Sequence, residues 1–155
     1  MKYDHSQLLE RAKELECMYM VDELLHNKDL TLAAAMKSLT DTIPIGFTIP
    51  SACRIKITLW NDVYAADDFS RAEILYRSPI VVMQESVGEI IMGYITELLD
   101  VECDILSNEK KMLDTISRLI SLLAFDTRRE LSQMLEMLRT VDPNMLPRVI
   151  EKLRV

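Results

Sequence analysis

Chemistry at a protein site needs a nucleophile with a base, a metal cluster or a phosphate cradle, and residues of those kinds are sparse in this 155-residue chain. The histidines, His5 and His26, stand near the N-terminus and share no metal-ligand spacing with a cysteine. A Ser-His-Asp set would have to recruit one of them, and both lie on or beside the first helical segment. Cys17, Cys53 and Cys103 are odd in number and far apart, and they form no Cys-x-x-Cys pair. That usage reads as buried free thiols in a reducing compartment. Gly46, Gly88 and Gly93 are scattered, so no glycine-rich phosphate loop is present. Asp67 and Asp68 are adjacent; on a strand they would point apart, and solvating a turn is the simpler role. No residue set implies a catalytic site, a cofactor or a metal, and the chain is not expected to be an enzyme.

Two compositional features could still mark a binding site. Ten carboxylates fall between Trp60 and Asp104, opposed only by Arg71 and Arg77. They lack the Asp-x-Asp spacing and loop glycine of a calcium loop, so a solvated surface is expected. Trp60, Phe69 and Tyr76 fall in the strand-like part of the chain, next to an irregular connection. They form the candidate small-molecule pocket, because such pockets are mostly apolar with few polar groups; ordinary core packing is the competing reading. Ten methionines suit an adaptable core or a helix surface.

The net charge of -7 disfavours nucleic acid, since phosphate contacts need clustered Lys and Arg. No apolar run approaches the ~18 residues of a membrane span, and "MKYDHSQLLERAKELE" has no apolar central region of a secretory signal. A cytoplasmic protein with neither a membrane nor a nucleic-acid partner is expected.

Around these residues the pattern predicts helix, helix, antiparallel strands and a long helix, an α+β layout. Asp4 and Gln7 suggest a capping box for a helix running to about His26, with Leu8, Ala12, Leu15 and Tyr19 on its apolar stripe, widened by Met18, Val21 and Leu25. Thr31 is expected to cap a second helix that stops before Pro44. "IPIGFTIP" reads as a loop. From Cys53, apolar Cys53, Ile55, Ile57 and Leu59 alternate with Arg54, Lys56, Thr58 and Trp60, a strand with one apolar face. "WNDV" supplies a turn and "VYAA" a return strand. Further strands are expected to break near Pro79 and at "QES". Ile91 and Ile95 oppose Ile90, Met92 and Tyr94, so the last strand needs cover on both faces, by helices on one side and by a loop or short helix on the other. Ser107 is expected to cap a long helix. Leu113, Ile116, Ile120 and Leu123 have heptad spacing and form a candidate homodimer seam. The seam resumes at Leu131, Met134, Leu138 and Val141 after an offset of eight residues, and Thr127 with Glu130 could cap a separate helix there. "VDPN" suggests a last helical segment with Asp142 as cap and Pro143 at its first position.

In order of elements, "ELECMYMVDELLHNKDLTL", "CRIKITLWNDVYAADDF" and "SPIVVMQESVGEIIMGYI" resemble a GAF-like sensory domain. Such domains occur at the N-terminal side of some bacterial sensor histidine kinases and phosphoenolpyruvate-synthase-like proteins. "LSNEKKMLDTISRLISLLAF" fits that domain's final helix, and the similarity covers roughly Leu15 to Phe125. "EMLRTVDPNMLPRVIEKL" resembles the linker before the catalytic part of the phosphoenolpyruvate-synthase-like proteins. The resemblance implies a GAF-like domain over residues 1–125, with a central antiparallel sheet between N- and C-terminal helices, and a helical extension over residues 126–155. It implies a sensory or regulatory function with an unknown small-molecule ligand, or else an assembly role in a phosphotransferase of that kind. No ligand-residue motif carries over position by position.

Overall fold

The structure, a computed structural model, describes residues 5–100 and 104–138. Within them lie helices α1 (His5–His26), α2 (Leu32–Thr42) and α3 (Ser107–Leu138), and strands β1 (Cys53–Leu59), β2 (Asp62–Ala65), β3 (Ile74–Val82) and β4 (Glu85–Tyr94). All strand neighbours are antiparallel, in the order β2-β1-β4-β3. The α+β layout read from the pattern is therefore the one observed. Asp4, Cys103, Val141, Asp142 and Pro143 lie outside the described residues.

The sheet turns one face to the helices. Cys53, Ile55, Ile57 and Leu59 of β1, Ile90, Met92 and Tyr94 of β4, and Ile80 and Val82 of β3 are buried there. The alternation of β1 puts those residues on one face and leaves Arg54, Lys56 and Thr58 half-buried on the other. α3 lies mainly along β3, and α2 lies against β1 and β2. Ile91 and Ile95 are buried too, so β4 is apolar on both faces, as its sequence predicts. A short helical turn at Phe69–Arg71 lies on the far side. It is fastened by Arg54, whose Nε donates to Asp68 Oδ1 at 2.7 Å.

The hairpins close with residues that rarely take left-handed backbone. Trp60 and Asn61 have φ of 47° and 73°, and Met83 and Gln84 have φ of 52° and 67°. Asn-Gly is the usual choice at such two-residue turns. The β1–β4 and β3–β4 registers bring the two turns to the same end of the sheet.

Several local expectations are corrected. Pro79 does not break a strand: β3 runs through it, opposite Glu89 of β4. β3 is an edge strand, where a residue without an N–H is tolerated. Ser107 is not the cap of α3. Leu106 holds that place: its carbonyl accepts from Lys110 N–H at 3.0 Å and its own N–H donates to Glu109 Oε1 at 2.9 Å. Thr127 and Glu130 start no new helix. The Thr127 hydroxyl donates to the Leu123 carbonyl at 3.0 Å within one continuous α3. In α1 the face toward the core is Cys17, Val21 and Leu25, while Leu8, Leu15 and Tyr19 of the expected stripe are 54%, 68% and 65% exposed. A buried cysteine packs as a small apolar residue, and counting Cys17 as one turns the stripe to the face that is used.

Candidate functional site

The residues expected to line a pocket are not brought together. Phe69 lies on the sheet face away from the helices, with Lys56 Nζ 5.9 Å from its ring centre. Tyr76 faces α3, where its hydroxyl donates to Asp114 Oδ1 and Oδ2 at 3.0 and 3.1 Å and Lys110 stands over its ring at 5.6 Å. Trp60 sits at the hairpin turn under the Arg128 guanidinium, 5.9 Å away, and its indole Nε1 is buried with no hydrogen-bond partner among the described residues. The alternation that puts Tyr76 on the helical face and leaves the 66–73 connection on the other separates the three.

The expected seam is likewise relocated. Leu113, Ile116 and Ile120 are 1%, 0% and 0% exposed. They pack into this chain's own core, where a mate could not reach them; Leu123 packs half-buried at its edge. Heptad spacing arises wherever a helix lays one stripe on any surface, and here that surface is the sheet.

Between sheet and helices lie two polar clusters that sequence reasoning missed. Glu109 is 2% exposed. Its Oε2 accepts from Thr48 N–H at 2.9 Å, from the Thr48 hydroxyl at 3.2 Å and from the Tyr94 hydroxyl at 3.2 Å. Its Oε1 takes the Leu106 N–H, so one carboxylate joins the start of α3 to the 3₁₀-rich loop and to the end of β4. Those donors satisfy both carboxylate oxygens at the start of the helix, and no cation pairs with Glu109 among the described residues. The usual capping signature has Ser or Thr three residues before the acid; here Leu106 stands there, so no signal was available. Further along α3, the buried Ser78 donates its hydroxyl to Asp114 Oδ1 at 2.7 Å and accepts from the Ser117 hydroxyl at 2.9 Å. Burial first, and then the bond to Asp114, push the Tyr76 phenol above its ordinary range. Both clusters are internally satisfied and fix the register of α3 on the sheet.

Cys17 and Cys53 are buried. Burial pushes the Cys17 thiol up to about 11, and burial with the nearby Glu109 charge pushes Cys53 up further. A neutral buried thiol is a poor nucleophile. Among the described residues no group of three or more His, Cys, Asp and Glu is placed to hold a metal ion, and no helix is long and apolar enough to cross a membrane.

What the surface does offer is a pair of hollows flanking the middle of α3. The larger, about 680 Å³, lies where the turn between α1 and α2 (Asn27 to Thr31) faces Leu123, Thr127, Leu131 and Met134. The smaller, about 460 Å³, lies on another side of the same stretch, between the β3–β4 turn and Phe125, Arg128, Arg129 and Ser132. Both fall within the size range of small-molecule sites. The apolar steps Leu123, Leu131 and Met134 were legible as a seam; that the α1–α2 turn of the same chain lines a groove with them was not.

Comparison of the chain with protein-family models, with curated proteins and with solved structures gives no match.

Proposed function

We propose that the chain is a non-catalytic sensory or regulatory domain of the GAF-like kind, taking a small molecule in the groove between the α1–α2 turn and α3. The observation that supports this most is the groove of about 680 Å³, because one of its walls is α3 itself. A ligand held there touches both the α1–α2 turn and the part of α3 that has left the sheet. Occupancy would thus bias where that helix points, which is the differential contact that a regulatory response requires.

Native mass spectrometry of protein purified from cells tests it. A retained small molecule is expected on the wild-type chain, and its loss is expected in Thr127→Phe, which fills the groove from a half-buried position on its helical wall. A wild-type chain without a retained molecule, or a variant that keeps it, would overturn the reading. A second reading, an assembly domain in a phosphoenolpyruvate-synthase-like phosphotransferase, is favoured by one observation: Leu135 and Met137 on the last turns of α3 are 49% and 55% exposed. In that case sedimentation at micromolar concentration gives a dimer, and Leu135→Glu with Met137→Glu abolishes it.

A further inference from the structure

The smaller hollow has a different chemistry from the groove. Its walls are Val82 and Met83 from the β3–β4 turn and Phe125 from α3, with Arg128, Arg129 and Ser132 one turn further along the helix. Met83 is 78% exposed and Phe125 37%, so apolar surface at the hollow is open to water. Neither Arg128 nor Arg129 makes an ion pair among the described residues, although the chain carries an excess of acid. Arg128 is held instead over the Trp60 ring. Glu85 also lines the hollow, but it is not within ion-pair distance of either arginine.

The backbone adds an independent observation. Met83 and Gln84 close their hairpin with φ of 52° and 67°, where glycine would be relaxed. Left-handed backbone at bulky residues is strained, and such strain clusters at ligand clamps. Here it stands the Met83 side chain at the hollow, opposite Phe125.

We infer that this hollow binds an anion carrying a short apolar body, with the body between Met83 and Phe125 and the charge on Arg128 and Arg129. A planar guanidinium presents paired donors that match a carboxylate, and Ser132 supplies a further hydroxyl. The net charge of -7 repels anions from the surface as a whole, so retention depends on these local cations. The site is independent of the groove, because it uses another side of α3.

The probe is octanoate, titrated by calorimetry into the full chain. Octan-1-ol serves as the uncharged control and inorganic phosphate as the control without an apolar body. Saturable binding of octanoate is expected, with a shift of the Met83 methyl resonance in methyl-labelled protein. In Arg128→Gln/Arg129→Gln the affinity falls at least about tenfold, which is ~1.4 kcal/mol. Both positions are exposed, so the variant should keep its melting temperature, and Met83→Ser, altering only the apolar wall, gives a second, charge-neutral loss. Octanol binding as tightly as octanoate, phosphate binding as tightly, equal affinity in the arginine variant, or no saturable heat with octanoate would each overturn the inference.

Discussion

Glu109 shows what a single side chain does in this fold. A buried carboxylate without a cation is normally unfavourable, because removing a charge from water is costly. Here four donors surround it, two of them backbone N–H groups. Glu109→Gln replaces one acceptor oxygen with an amide that points hydrogens at a donor. A loss of about 1–3 kcal/mol in urea unfolding is expected. Glu109→Leu should cost more, since it leaves Thr48 and Leu106 N–H groups unpaired in the interior. A Gln variant as stable as wild type would mean that the carboxylate does not hold the loop. None of this was readable beforehand, because the acid falls three residues after a leucine and its partners are 61 and 15 positions away in sequence.

At the scale of elements, α3 separates what periodicity can and cannot say. The steps from Leu113 to Leu123 announce a long helix with one apolar stripe, and the helix is there. Periodicity does not identify what covers the stripe. β3, with Ser78, Ile80 and Val82 buried in turn, takes it. Replacing Ile120 with Asp therefore places an unpaired charge in the core, and a loss of about 3–5 kcal/mol is expected, with an unfolded chain rather than a folded monomer. Circular dichroism with sedimentation decides: a folded Ile120→Asp chain of reduced mass would restore the interchain seam. The strand pattern was legible for a parallel reason. β1 has one apolar face and β4 has two, and their burial follows the residue types. β3 was misread at Pro79 because its position at the edge of the sheet depends on strand order, which no local window contains.

For the whole molecule, the layer of helices over one sheet face sets how stability responds to pH. Cys17 lies in that layer and Cys53 on the sheet beneath it, and both thiols are held neutral by burial. A folded pKa above the unfolded one means that the contribution is complete below the unfolded value and is lost as pH rises through the folded value. For Cys17 the window runs from 9.0 to about 11, and its share of the loss is about 2–3 kcal/mol. Stability measured by urea unfolding should thus fall between pH 9 and 11, and fall less steeply in Cys17→Ala. An unchanged slope in that variant would show that the thiol titrates freely in the folded chain. The candidate site was the least legible part of the sequence. Trp60, Phe69 and Tyr76 are close in number but divided by the sheet, whereas the turn after α1 and the α3 residues Leu123, Thr127 and Leu131 that face it are about 100 positions apart.

The unbroken course of α3 past Thr127 has a mechanical consequence. Its residues up to Ala124 are pinned on the sheet by apolar contacts and by the Asp114 and Glu109 clusters. From Phe125 to Leu138 it extends about 20 Å at 1.5 Å per residue. Because α3 runs on through Thr127 without a break, the helix acts as a lever whose fulcrum is the last pinned turn. A tilt of a few degrees there displaces the far tip by about 1–2 Å, so a change in packing too small to disturb the core is enlarged at the distal end.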